Sequence, residues 1–316
     1  VTMPIPVDHH HSSLRLRIAR LSIVVSIVVL AIKYAAYAVS GSGALLSDAI
    51  ETILNVIASI GTLWAVSFAA RPADENHPYG HGKAEYFWAV IEGILVVLTA
   101  IGILLIAVQD AFHPKSIDAP LRGVALNAFA GIINFIWARI MITAGKKQKS
   151  QALLSAGEHV QSDVWASLAL LIGVALIPVL HWSGLDPLLS ALVALNVLWT
   201  GFGMMRESMS GLMDEAPSPE LVDRTRALIA QNGHGALEAH DLRMRKVGAL
   251  FFVEFHLVVP DTMQITEAHD ICDHIESAIR RHIGSTSIHI HVEPENMAKR
   301  HEPGQNGVLV LSTAHS

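Results

Sequence analysis

The run GALLSDAIETILNVIASIGTLWAVSFAA, residues 43–70, decides how this chain folds. It exceeds the roughly 20 helical residues needed to cross a hydrocarbon core about 30 Å thick. Its only ionisable side chains are Asp48 and Glu51. Asn55 joins them at spacings of three and four, which puts all three on one face of a helix. Charged groups are costly inside a membrane helix, so each is a candidate for function.

Five further runs of the same kind surround it: Leu14–Val39, Tyr86–Phe112, Leu121–Ala144, Gln151–Leu180 and Pro187–Leu212. The chain is 52% hydrophobic and only 16% charged. With the apolar residues gathered into runs, that balance indicates an integral membrane protein whose first partner is the lipid bilayer. The first apolar run is too long for a signal-peptide core, and no small-residue cleavage site follows it, so it is expected to be a retained span. The formal net charge of -6 and the lack of any nucleic-acid motif argue against binding DNA or RNA. Cys272 is the single cysteine, which excludes an internal disulfide and any CxxC metal knuckle. Metal chemistry must therefore rest on carboxylates and the 18 histidines.

Basic residues orient the spans. Arg15, Arg17 and Arg20 precede the first, Arg71 and Lys83 separate the second and third, and Lys146, Lys147 and Lys149 separate the fourth and fifth. Positive loops stay in the cytoplasm, so both termini are expected there. The Ser40–Gly43 and His181–Asp186 turns carry no Lys or Arg, while Lys115 and Arg122 run against the rule at the middle outer turn. Four regions result: a cytoplasmic tail over 1–13, a six-helix all-α membrane bundle over 14–213, a soluble α+β domain over 214–295 and a disordered tail over 296–316. In the soluble domain, Pro219 opens a helix to Gln231, and strands follow at His240–Lys246 and Leu250–Val259. A helix over Thr266–His282 and a strand over Ser287–Val292 complete the order αββαβ.

The fifth span carries His159 and Asp163 one turn apart. If the second helix starts outside near Gly43 and the fifth starts inside near Gln151, a rise of about 1.5 Å per residue brings the two polar sets to shared depth. Glu51 and His159 then lie about 12 Å from opposite surfaces, and Asn55 and Asp163 about 18 Å. On this count Asn55 is level with His159, and Glu51 with Asp163. These four form a candidate tetrahedral cage for a divalent ion such as zinc, with Asp48 as a possible fifth ligand for a larger or harder ion. Taken singly, each residue has a plainer reading, as an interfacial charge, a helix-end charge or a satisfied core histidine; their matched depth favours the site. Glu92 in the third span is either a proton carrier or a cavity-facing polar residue. Glu158 is expected near the interface, and Lys33 is expected to snorkel outward.

Between the second and third spans, RPADENHPYGHGKAE (71–85) places Asp74, His77 and His81 in a loop stiffened by Pro78 and articulated by Gly80 and Gly82. The three could close on one ion with a position left open, or the loop could simply be solvated. In the soluble domain, His240, His256, His269, His291 and Glu293 fall on separate elements, with His291 and Glu293 on the same face of the last strand, so convergence or surface scatter are both open. His9, His10 and His11 are either a metal-collecting tract or part of a tail.

Pro72–Glu85, supported by Leu45–Glu51, His159–Asp163 and His240–Arg243, resembles the cation diffusion facilitators, in the branch of YiiP-like zinc and iron exporters. The resemblance runs from about Leu14 to Pro294. It implies homodimeric metal/proton antiporters with six spans and a cytoplasmic domain of ferredoxin-like, metallochaperone type, in a bacterial inner membrane. Zinc is the leading substrate and also a regulatory ligand, with iron(II), manganese and cobalt as other candidates. By the same resemblance Glu51, Asn55, His159 and Asp163 form the transport site, and Asp74, His77 and His81 form the loop site. His240, His256, His269, His291 and Glu293 form dimer-bridging cytoplasmic sites, and Lys83 pairs with Asp214 to help hold the dimer. The chain departs from similar exporters in the second span, where they place Asp or His and then Asp, and this chain has Glu51 and Asn55. The amide lowers the negative charge of the site.

Three other classes compete with a transporter. An intramembrane zinc hydrolase needs HExxH or an equivalent, which the chain lacks. A proton-independent metal channel would show flux indifferent to a pH gradient. A membrane metal sensor would bind metal and never move it.

Overall fold

A computed structural model describes residues 9–40, 43–112, 121–180, 185–248, 250–299 and 309–310. The chain divides into two units, one running to Leu212 and one beginning at Met213.

The first unit is six long helices: α1 His9–Ser40, α2 Gly43–Ala69, α3 Ala84–Phe112, α4 Leu121–Gln148, α5 Gln151–Leu180 and α6 Leu185–Leu212. In lipid every backbone N–H and C=O must be satisfied within its own segment, and a helix does this. Among the described residues, four helices are long and apolar enough by themselves to cross a membrane, at Ser13–Val39, Asp48–Ala69, Ala84–Gln109 and Arg122–Gln148. Large apolar side chains point outward along them, as with Phe87, Leu98, Leu105 and Phe129, and Trp199 of α6 is 82% exposed. A water-soluble bundle would bury these; a lipid-facing one presents them.

Two ends differ from the sequence reading. Helix α1 already begins at His9, inside the stretch expected to be tail. Helix α4 continues to Gln148, with Lys146 and Lys147 in its last turn, where cations complement the helix dipole.

Helices pack closely where side chains are missing. A Cβ on Gly93 of α3 would lie 2.7 Å from Met205, and one on Gly201 of α6 would lie 2.8 Å from Val97. Small residues at such crossings let backbones approach in the absence of a hydrophobic drive between helices. At the start of α3, buried Glu85 receives Arg15 Nη1 of α1 at 3.2 Å, the Ser150 hydroxyl and the Ala152 amide at 3.4 Å. One carboxylate thus ties α1, α3 and the N-terminus of α5, where a negative charge suits the helix dipole.

The second unit contains α7 Pro219–Asn232, β1 Glu238–Val247, β2 Leu250–Val259, α8 Ile265–Ile283 and β3 Thr286–Pro294, in the expected order αββαβ. β1 pairs antiparallel with β2, and β2 pairs parallel with β3. Val253, Phe255, Leu257 and Val259 of β2 face Leu228 and Ile229 of α7 and Cys272, Ile275 and Ile279 of α8, forming the core. A capping box between Gln264 and Glu267 starts α8, and Gly284, at φ +95°, ends it.

Of the stretch expected to be a disordered tail, residues 300–308 and 311–316 lie outside the described residues, and Leu309–Val310 differs from the expectation. Leu309–Val310 forms a fourth strand, β4, antiparallel to β1, which makes the sheet order β3-β2-β1-β4. β1 would otherwise present unpaired backbone groups at the sheet edge, and β4 covers part of that edge.

Candidate functional site

In the bundle, α2 and α5 bring Asn55, His159 and Asp163 together, all buried. Asn55 Nδ2 donates to Asp163 Oδ2, while Asn55 Oδ1 is buried without a hydrogen-bond partner. The expected pairing was Asn55 with His159, so the observed register differs by one turn. Counting depth from helix starts assumes helices perpendicular to the membrane with ends at its surfaces, and ordinary tilt is enough to shift facing residues by a turn. The Glu51 side chain lies outside the described residues, although its backbone is part of α2.

His159 faces a third helix. Its Nδ1 is 3.6 Å from Glu92 Oε1, and the Ser155 hydroxyl donates to Glu92 Oε2 at 2.7 Å. Glu92 of α3 is 1% exposed, so a carboxylate stands among apolar helices beside the histidine. Ser59 donates back to the Asn55 carbonyl at 2.8 Å and meets Ser26 of α1 at 2.9 Å.

Lys33 corrects another expectation. It is 2% exposed, and its Nζ donates to Asp48 Oδ1 at 2.8 Å. Asp48 binds an internal ammonium here and keeps Oδ2 without a hydrogen-bond partner. A nearby carboxylate compensates the buried cation, which removes the need to snorkel.

The loop after α2 folds onto itself. Asp74 and His77 exchange backbone hydrogen bonds, and the His77 amide also donates to Asp74 Oδ1 at 2.7 Å. That amide, the largest influence, holds the Asp74 carboxyl below its ordinary value, helped by the His77 and His81 rings. Gly80, at φ +83°, turns the chain so that His81 comes back. His77 Nδ1 lies 3.1 Å from Asp74 Oδ1, and His81 Nε2 lies 3.4 Å from Asp74 Oδ2. One ligand atom from each residue lies within 4.8 Å of the others, which suits a three-ligand site with an open position. His81 is buried edge-on against Phe68, ring centroids 4.8 Å apart, and its Nδ1 has no hydrogen-bond partner.

On the sheet face turned away from α7 and α8, strand register lines up three histidines: His240 pairs with His256, and His256 with His291. Glu293 sits two residues beyond His291, hence on the same face. Its Oε1 is 2.8 Å from His256 Nδ1 and 3.9 Å from His291 Nε2, and its Oε2 is 3.3 Å from His240 Nε2. His240, His256 and Glu293 again place one ligand atom each within 4.8 Å. A bulge in β1 after His240, with Asp241 at φ +54°, breaks the register just beyond the site.

His269 does not join this cluster. It stands on α8, across the sheet, 73% exposed and 3.8 Å from Asp273. Near the unit boundary, Lys83 donates to the Leu212 carbonyl at 3.2 Å, and Asp214 receives Arg245 at 3.0 Å. Sequence reasoning missed Glu238 altogether, a buried carboxylate 2.8 Å from His240 Nδ1. Its alternation with His240 in one strand was the available signal.

Comparison with known proteins follows the same division. Residues 19–213 match the cation efflux transmembrane domain, and residues 217–295 match the cytoplasmic domain of cation efflux proteins. An uncharacterized transporter of Synechocystis sp. is 39% identical over 277 residues, covering 87% of this chain and 89% of the relative. The cation-efflux pump FieF of Cronobacter sakazakii is 30% identical over 305 residues, covering 94% of this chain and 99% of the pump. A solved structure of the Zn form of CzrB is 44% identical, covers 28% of this chain and 99% of that one, and has a TM-score of 0.27.

Proposed function

This chain belongs to the cation efflux family, and from that premise we propose that it is a divalent metal cation/proton antiporter exporting zinc by alternating access. It is a multi-pass membrane transporter of a family that moves cations and is not one of enzymes. Iron(II), manganese and cobalt are further substrates that one imidazole among oxygen ligands would accept. The observation that carries the reading is the buried contact between Asn55 and Asp163 beside His159, inside helices whose outer faces are apolar.

In this mechanism the ion enters from the cytoplasm and is held by Asn55, His159, Asp163 and Glu51, and Asp48 stays with Lys33. Metal ligands must be deprotonated to bind, so protons arriving from outside compete for His159 and the carboxylates and expel the ion. In this reading Glu92 exchanges that proton, supported by its 3.6 Å separation from His159 and the hydrogen bond it accepts from Ser155. Rocking of helices about the fixed site alternates its access.

The loop site, Asp74, His77 and His81, and the cytoplasmic site, His240, His256, His291 and Glu293, bind regulatory metal. Two copies assemble through the cytoplasmic domain, a dimerisation domain in this family. His269 then supplies its ligand to the site of the second copy, and Lys83 pairs with Asp214 to steady the dimer. Both termini face the cytoplasm, and the bacterial relatives support an inner-membrane location.

Zinc movement into proteoliposomes under an imposed pH gradient tests the transport site. Asp163→Ala and His159→Ala should each lower the rate more than 10-fold, about 1.4 kcal/mol or more of lost stabilisation. Wild-type rates in both would eliminate the site, and flux indifferent to the gradient would favour a channel.

A further inference from the structure

Glu238 opens β1 on the same face as His240, two residues away, and it is buried. Its Oε1 lies 2.8 Å from His240 Nδ1. With its proton on Nδ1 for this carboxylate, the ring keeps the Nε2 lone pair for a metal ion. Nε2 points at Glu293 Oε2, 3.3 Å away, and that oxygen is buried without a hydrogen-bond partner. A ring nitrogen and a carboxylate oxygen facing each other at this distance leave a place that either a proton or a metal cation fills.

The same Oε1 has a second donor. The Lys299 backbone amide reaches it at 3.1 Å, and the Lys299 ammonium reaches Asp241 Oδ1, at the bulge after His240, at 2.6 Å. Further along, Val310 pairs with Glu238 itself and Leu309 with Ala239. One carboxylate therefore orients a candidate metal ligand and accepts the Lys299 amide.

We propose that Glu238 is a positioning residue that couples divalent-metal binding at His240, His256 and Glu293 to the seating of Lys299 and of strand Leu309–Val310 beside β1. The inference rests on reading that cluster as a metal site. Metal on Nε2 withdraws charge from the ring and strengthens the Nδ1–H hydrogen bond, which holds Glu238 Oε1 where Lys299 needs it. Outer carboxylate partners of ligating histidines tune metal affinity by about 10–100-fold. Coupling is reciprocal, so Lys299 and β4, once seated, must also tighten metal binding.

The test uses the full chain in nanodiscs carrying Asp74→Ala and Asp163→Ala, which removes the other two candidate sites, titrated with zinc against a competing chelator. Glu238→Ala should weaken zinc by about 10-fold or more. Glu238→Gln should recover most of that loss, because its amide oxygen still accepts from both donors. A chain ending at Ala298 leaves Glu238 and the three-stranded sheet in place and should also bind zinc several-fold more weakly, which keeps the test decisive if Glu238→Ala fails to fold. Zinc should slow hydrogen exchange at Lys299, Leu309 and Val310 with Glu238 present and leave it unchanged in Glu238→Ala. Unaltered zinc affinity in Glu238→Ala and in the shortened chain, while His240→Ala loses it, would overturn the coupling and spare the metal site. Unaltered affinity in His240→Ala as well would overturn the metal site on which the coupling rests.

Discussion

Asn55 of α2 and Asp163 of α5 are joined directly, with the amide nitrogen donating to the carboxylate and the amide oxygen left buried and unpartnered. An amide can satisfy a carboxylate in this way and still offer an oxygen to a cation, which a second carboxylate could not do without a proton. Asn55→Asp should therefore separate the two side chains in the metal-free protein and raise affinity for doubly charged ions by adding a negative charge. Competition uptake with zinc, manganese, iron(II) and cobalt in vesicles measures the change, and an unaltered selectivity order with unaltered affinity would refute it.

The buried pair of Lys33 and Asp48 gives a second expectation. Removing one partner leaves the other charge uncompensated among the helices, at a cost of about 3–5 kcal/mol. Lys33→Ala and Asp48→Ala should each lower the thermal midpoint in detergent more than the double variant does. Additive losses in that cycle would show that the pair is not coupled.

Cys272 reports on the packing of α8. Burial, with Glu276 and Asp273 adding to it, pushes its thiol up to about 11. At pH 8 the thiolate fraction is then roughly 100-fold below that of an ordinary exposed cysteine, since the thiolate is the reactive form. Iodoacetamide should label the folded protein correspondingly slowly and the denatured protein at the ordinary rate. Equal rates would mean that this face of α8 is not packed into the domain core.

The Asp241 carboxyl is held below its usual range first by the hydrogen bond from the Lys299 ammonium. A depressed carboxyl contributes stability above its unfolded value and loses it as pH falls through the folded value. Lys299→Ala should thus return the Asp241 midpoint toward 3.8, seen by carboxyl NMR, and change the domain's stability by under about 1 kcal/mol at neutral pH, because both groups are part-exposed. An Asp241 midpoint indifferent to this substitution would contradict the contact.

The loop offers a local test of backbone geometry. Gly80 sits at φ +83° with nothing within 4 Å of where a side chain would start. Gly80→Ala therefore strains the backbone without a clash and should weaken metal binding by Asp74, His77 and His81 more than it lowers the melting point. Zinc titration of a variant lacking the other sites would measure this, and wild-type affinity would count against the turn as the device that returns His81.

Six helices and an αββαβ domain were legible in the sequence because each rests on a local rule. A lipid-spanning segment must satisfy its own backbone, which writes itself as an apolar run, and the strands of a half-buried sheet alternate. Asn55, His159 and Asp163 stood out because polar groups are rare in such runs, and Asp74, His77 and His81 because they share a short, turn-rich loop. What the tertiary structure decided was pairing across long separations: Lys33 with Asp48 instead of the lipid surface, Glu92 with His159, Asn55 with Asp163 instead of His159, and Glu238 between His240 and Lys299. His269 stays apart from the histidines of the sheet for the same reason, since α8 places it on the opposite layer. Composition and periodicity determine which face of an element is polar, but helix tilt and strand register set which residue that face meets, and both depend on the packing of the whole unit.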